Sequence, residues 1–229
     1  MVPEECPGPE GLVEVEEPAR KLGIVVAVMT ACGPGAAAGG GLEEEIEELL
    51  RWARSAYSLE RLREDPVVRA YRKFYWRIGV DPTKTRPSSE ALLRRALRGK
   101  WPRINPVVDA GNIASARSLV PIGLYDMDRL SPPLRLAVSR GGEEFHPIGG
   151  NVERLPPGLP ILVDSRGRVL HLYPHRDSRE TMIRPETRRL LALAAGVPGV
   201  GEDRLRLALE TLARLLARLG WKASPIIIV

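Results

Sequence analysis

Arg86-Pro87-Ser88-Ser89-Glu90-Ala91-Leu92-Leu93-Arg94-Arg95, followed by Pro102-Arg103-Ile104-Asn105-Pro106-Val107-Val108-Asp109-Ala110-Gly111-Asn112, is the stretch that decides the fold. It spells two helix starts in succession. Ser88 reads as an N-cap, with Glu90 in the first turn, Arg94, Arg95 and Arg98 later, and Gly99 as the stop, a charge order that suits the helix dipole. Asn105-Pro106 repeats the start signal, an N-cap followed by proline at the first helical position, and predicts a helix to about Ala116. In that second helix Asp109 and Asn112 are three apart and share a face. Gly111 beside them costs roughly 1 kcal/mol relative to alanine, so something is expected to pack or bind closely there. Capping with a buried hydrogen-bond network, or the polar wall of a pocket, both fit this pattern.

Working outward, the short β-branched run from Gly23 to Met29 predicts a buried strand. A glycine-rich loop from Gly33 to Gly41 leads into a helix over about Leu42–Arg54, with glutamates early and Arg51 and Arg54 late. Asp65-Pro66 opens another helix through Tyr71 and Tyr75, ending near Gly79. After Pro121 the texture changes to short strands, at about 134–138, 144–148, 161–164 and 169–173, with Arg140-Gly141-Gly142 and Ser165-Arg166-Gly167 as hairpin turns. A last helix runs from about Glu202 to Leu219, with Leu205, Leu209, Leu212, Leu216 and Leu219 as its apolar stripe. Ile226 to Val229 suits a final strand beside the first. No repeat or long linker interrupts the 229 residues, which predicts one α/β domain of α+β type spanning 1–229.

Composition narrows the class. Hydrophobic residues make up 44% and charged residues 28%, enough for a core and unlike a disordered chain. A net charge of +5 and a pI near 9.5 are compatible with an anionic partner such as RNA without requiring one. Cys6 and Cys32 show neither metal-ligand spacing nor a disulfide framework. No signal-peptide pattern precedes the first apolar run and no run has membrane-spanning length, so a soluble cytoplasmic protein is expected, with no membrane partner. Gln is absent and Arg greatly outnumbers Lys, a bias that fits a heat-adapted source or a GC-rich genome.

Motifs for familiar chemistries are weak. Gly33-x-Gly35-x-x-Ala38 formally fits a dinucleotide fingerprint, but no second strand ending in a ribose-binding acid follows, and glutamates crowd the helix start where a pyrophosphate would sit. A plain strand-to-helix connection is the better reading. His171 and His175 straddle Pro174 in a strand and turn, not on one helical face, so no metal is expected, and no cofactor. No nucleophile elbow is present. The run Tyr173 to Thr181 contains His175, Arg176, Asp177 and Arg179, and follows a strand directly. Its guanidinium forks suit phosphate or carboxylate.

The order of short motifs resembles the B3/B4 editing domain of phenylalanyl-tRNA synthetase beta subunits and the freestanding proteins built on it. The pieces are Tyr71-Arg72 leading to Gly79, Arg86-Pro87-Ser88-Ser89-Glu90, Ile104 to Asp109 with Asn112, Pro121-x-Gly123-x-Tyr125-Asp126, Asp164, and Arg176-Asp177-Ser178, over about 71–187. The resemblance implies an α+β fold with a mixed or antiparallel sheet flanked by helices, completed by the strand and helix over 20–70 and the helix over 202–220. It also implies hydrolysis of a mischarged aminoacyl-tRNA. In the synthetase the domain removes tyrosine wrongly attached to the tRNA for phenylalanine, because an apolar pocket cannot strongly exclude a near-isostere with one extra hydroxyl. Ester hydrolysis needs an oriented water and donors aimed at the oxyanion, not a covalent intermediate.

By motif position the resemblance carries Asn105, Asp109, Asn112, Gly123, Tyr125 and Asp126 into the site, with Arg176 and Asp177 from the freestanding pattern. Asn112 and Asp109 are the expected catalytic pair. His175 or Arg176 is expected at the aminoacyl-adenosine end, with Arg179 nearby. The expected partner is the 3′ end of aminoacyl-tRNA. One departure matters: Gly123 stands where the synthetase has a site histidine, so tyrosine specificity is not implied. A B3/B4 module that binds tRNA, an amino acid or a protein without hydrolysis is the alternative, and an enzyme acting on an unrelated small ester or amide is a third.

Overall fold

A computed structural model describes residues 6–38 and 40–229; Gly39 of the glycine-rich loop lies outside them. The elements in chain order are β1 (Val13–Val15), α1 (Glu17–Lys21), β2 (Val25–Cys32), α2 (Glu43–Ala56), α3 (Leu59–Glu64), α4 (Pro66–Arg77), α5 (Ser88–Leu97), α6 (Pro106–Ser118) and β3 (Ile122–Asp126). After a single 3-10 turn come β4 (Leu134–Val138), β5 (Glu144–Phe145), β6 (Glu153–Arg154), β7 (Pro160–Val163), β8 (Val169–Leu172), β9 (Arg176–Asp177), β10 (Arg189–Gly196), α7 (Glu202–Arg218), β11 (Lys222–Ala223) and β12 (Ile227–Ile228). This is the expected α+β architecture.

Two sheets carry it. One runs β1-β4-β7-β8-β5-β6, with β9 also on β8; β1–β4 and β5–β8 are parallel and its other pairs antiparallel. The other runs β11-β2-β10-β3, with β12 also on β2, and is antiparallel throughout. Alternation along β2 divides the core. Ala27, Met29 and Ala31 face a cluster shared with α2, α6 and the α7 leucines, including Leu205, Leu209, Leu212 and Leu216. Val26 and Val28 face a second cluster with Tyr71, Phe74 and Tyr75 of α4, which also takes in Leu134, Leu136, Leu162 and Leu170 of the other sheet.

The opening block builds the joint between α4 and α5. Glu90 is fully buried, and its carboxylate accepts from Arg72 Nε and Nη2 at 2.9 and 2.5 Å, with Arg94 at 3.7 Å and Arg86 at 3.9 Å. A buried acid of this kind is tolerated because its lone pairs are taken up by fixed guanidinium donors.

Three expectations need correction. Ser88 is not the N-cap of α5. Pro87 holds that position, and the neighbouring Ser89 hydroxyl instead donates to Leu119 O at 2.8 Å, tying α5 to the end of α6. Arg140-Gly141-Gly142 is not a hairpin between β4 and β5. The Glu143 carboxylate accepts from Arg140 N and Gly141 N, while β4 pairs with β1 and β7 and β5 with β6 and β8. Cys6 and Cys32, 26 residues apart, form a disulfide that ties the segment before β1 to the end of β2. Two cysteines without a spacing pattern carry no signal of proximity, which is set here by the tertiary fold.

Candidate functional site

The helix start at Asn105 shapes the site first. The Asn105 side chain accepts from Val108 N at 3.0 Å, and Asp109 Oδ1 accepts from Ile104 N at 3.0 Å. The two side chains therefore cap α6 and pin the residue before it. Asp109 is 8% exposed; burial raises its carboxyl above the ordinary range, against the Ile104 hydrogen bond. Neither residue reaches the neighbouring cavity.

Their rigid helix start aims Asn112 into that cavity. It encloses about 170 Å³ and is walled by apolar side chains, among them Val108, Ile122, Leu124, Met182 and Ile183, with Gly111 on the helix side. Asn112 and Asp177 are its polar groups. The Asn112 amide makes no hydrogen bond with the described residues. Ile104 and Ile148, 66% and 53% exposed, also line it. Gly111 is explained by the wall behind it: a Cβ there would come within 2.7 Å of Leu124 Cδ1, so glycine lets α6 settle onto β3.

Asp177 is positioned by strand pairing. It lies opposite His171 across the β8–β9 ladder, and His171 Nδ1 meets its Oδ1 at 2.7 Å. With Nδ1–H donating, His171 Nε2 remains buried and unpartnered, as does the Tyr125 hydroxyl. Burial drives that phenol well above its ordinary range, and the Asp177 carboxylate beside it adds to the shift. Tyr125 also explains Gly123. A Cβ at 123 would lie 2.2 Å from the Tyr125 oxygen, so the hydroxyl fills the space that a side chain at 123 would enter. Gly123 and Tyr125 thus face away from Ile122 and Leu124, the two β3 residues that wall the cavity.

The remaining expected residues are held elsewhere. Asp126 accepts from Asp128 N at 3.0 Å and from the Thr187 hydroxyl at 2.7 Å, closing the turn after β3. Arg176 pairs both its terminal nitrogens with Glu153 at 2.7 Å, over the Phe145 ring. His175 packs its ring on Tyr75, and burial, then His171 and Arg176, lower its pKa to about 3. Arg179 borders a second, open hollow of about 360 Å³ with Arg129, Arg168 and Arg184. Sequence reading missed His171 as the partner of Asp177, and the apolar wall Met182-Ile183 of the cavity. Period-2 counting back from Asp177 across the Pro174 turn was the one available hint of the first. The fingerprint-like Gly33 has a packing reason, since a Cβ there would lie 2.2 Å from the Trp221 ring.

A capped helix laid on an antiparallel sheet, with a small, mostly apolar cavity lined by two polar groups, Asn112 and Asp177, belongs to an α+β domain. The chain belongs to the B3/4 domain family, whose model matches residues 70–220. It is 28% identical over 134 residues to the phenylalanine–tRNA ligase beta subunit of Thermococcus gammatolerans, covering 49% of this chain and 23% of that protein. The Pyrococcus furiosus beta subunit is likewise 28% identical, with 24% of it covered. Among solved structures, an N-terminal fragment of the phenylalanyl-tRNA synthetase beta subunit from Pyrococcus horikoshii superposes over 96% of this chain and 52% of the fragment, with a TM-score of 0.51 at 17% identity. The chain therefore spans less than a quarter of the T. gammatolerans protein, and the shared feature is the B3/4 domain.

Proposed function

We propose that the protein hydrolyses the ester of a mischarged aminoacyl-tRNA, taking the amino-acid side chain into the cavity between α6 and β3. The observation that carries this reading is the unpartnered Asn112 amide, which lines an otherwise apolar cavity together with Asp177. Asn112 donates to the ester carbonyl oxygen as negative charge develops on it. Asp177, held by His171, orients the attacking water and takes its proton. The water oxygen bonds to the carbonyl carbon, the bond to the ribose oxygen breaks, and the proton passes to that oxygen. Asn105 and Asp109 act at one remove, by fixing the start of α6. An amide-poor composition fits a heat-adapted setting for this role.

Deacylation of a panel of mischarged tRNAs is the test. Saturable turnover is expected, with Asn112→Ala and Asp177→Asn each lowering kcat by about a hundredfold. Turnover of every tRNA at the uncatalysed rate would leave the alternative, a B3/4 module that binds without hydrolysis. Gly123, where the resemblance has a site histidine, favours that second reading.

A further inference from the structure

The arginine hollow lies beside the cavity and shares a wall with it. Met182 lines both, and a single stretch of chain from Asp177 to Arg184 supplies residues to each. Four guanidiniums, from Arg129, Arg168, Arg179 and Arg184, surround the hollow, against one lining carboxylate, Glu180. They fall into two kinds. Arg168 is clamped by Asp164, with Nε and Nη2 at 2.9 and 2.7 Å from Oδ2, and also donates to Arg129 O at 2.8 Å; Arg129 Nε lies 3.7 Å from Asp126. Arg168 is thus fixed in place, and Arg129 has an acidic neighbour. The side chains of Arg179 and Arg184 have no acidic partner among the described residues, and Arg184 Nε is buried without any hydrogen bond.

The backbone behind Arg184 is nevertheless rigid. Arg184 N donates to the Thr187 hydroxyl at 2.9 Å, and that hydroxyl donates to buried Asp126 at 2.7 Å. Gathering unpaired guanidiniums on a fixed frame costs repulsion and desolvation unless an anion offsets it, and the guanidinium fork matches phosphate oxygens. The hollow is too open and too polar for an amino-acid side chain.

We propose that this hollow binds a backbone phosphate of the RNA whose 3′ ester enters the neighbouring cavity. This rests on the hydrolase reading only for the identity of the RNA. In any RNA 3′ end only the terminal ribose separates its 2′ and 3′ hydroxyls from the nearest phosphodiester, so two adjoining pockets, one apolar and one cationic, match the order of groups along the chain. Arg179 and Arg184 contact the phosphate directly, and Arg129 and Arg168 supply the field.

The test is binding of a short uncharged oligoribonucleotide ending in CCA, measured as a function of salt on the full chain, so that it does not depend on turnover. Arg179→Gln with Arg184→Gln is expected to weaken binding by about tenfold or more and to reduce the slope of log affinity against log salt by about one. Arg179→Gln alone, at an exposed side chain, repeats the effect in part and guards against misfolding of the double variant. Arg184→Lys keeps the charge without the fork and is expected to recover only part of the affinity. Unchanged RNA affinity and salt slope in the variants would overturn the proposal while leaving the hydrolase reading intact. Inorganic phosphate that binds the wild type while the oligoribonucleotide does not would also overturn it, by assigning the hollow to a small phosphate. Failure of the hydrolase reading alone would appear as arginine-dependent RNA binding without deacylation.

Discussion

Asp109 illustrates how one buried acid can be structural and still look catalytic. Its Oδ1 serves Ile104 N, and an asparagine oxygen can accept the same bond. Asp109→Asn is therefore expected to keep near-wild-type stability and turnover, whereas Asp109→Ala strands the Ile104 N–H and costs about 1–2 kcal/mol in chemical unfolding. A large loss of kcat in Asp109→Asn with stability intact would return Asp109 to the chemistry. His175 gives a pH signature. Folding lowers its pKa from 6.5 to about 3, so between those values the unfolded chain binds the extra proton. Stability is thus expected to fall as pH drops through that window. His175→Leu, which keeps an apolar face toward Tyr75 and removes the group from His171, Arg176 and Glu153, should flatten this part of the profile. An unaltered slope in urea titrations at several pH values would contradict it. The Asn105 cap was legible because its partner is three residues away. The His171–Asp177 pair was not, because it depends on a turn through Pro174 and a strand register that local sequence does not fix.

At the level of elements, helices with caps and charge gradients were readable and the central strand was not. The spans predicted around Asp65-Pro66, Asn105-Pro106 and Glu202 match α4, α6 and α7 within a few residues. β10, which lies between β2 and β3, is Arg-Leu-Leu-Ala-Leu-Ala-Ala-Gly. It holds no β-branched residue, and leucine and alanine favour helices in isolation. It becomes a strand because both its edges are paired along the sheet and both its faces buried, a tertiary effect that outweighs propensity. β3, which supplies Ile122 and Leu124 to the cavity wall, was likewise not singled out as a strand. The Cys6–Cys32 bond acts on the same scale, anchoring the residues before β1 to β2. Closing a loop of 26 residues is worth about 3.5 kcal/mol through the unfolded chain. Reduction, or Cys6→Ala with Cys32→Ala, is expected to lower the unfolding free energy by up to that amount without altering helix and strand content by circular dichroism. Equal denaturation midpoints for oxidised and reduced protein would show that the tether contributes nothing.

The whole molecule has two sheets, and one of its buried clusters draws on both. Val26, Val28, Leu191 and Leu193 of the antiparallel sheet share one buried cluster with Leu134, Leu136, Leu162 and Leu170 of the mixed sheet, and Tyr71, Phe74 and Tyr75 of α4 lie in the same cluster. Tyr71 and Tyr173, on different elements, also send their hydroxyls to adjacent carbonyls at the end of β10, Ala195 O and Gly196 O, each at 2.5 Å. Exposing either sheet would open this cluster and strand both carbonyls, so neither is expected to unfold alone. We propose on this ground that the chain behaves as one cooperative unit. The candidate site depends on the same joint, because Asn112 comes from the helix on the antiparallel sheet and Asp177 from an edge strand of the mixed sheet. Thermal or urea unfolding should therefore show one transition, with circular dichroism, tryptophan fluorescence and loss of RNA binding coincident. Leu191→Ala, in the shared cluster, should move all three together, by about 2–5 kcal/mol. Two separated transitions, with the tryptophan signal changing before the secondary structure is lost, would instead show that the sheets are independent units and that the site assembles only when they dock.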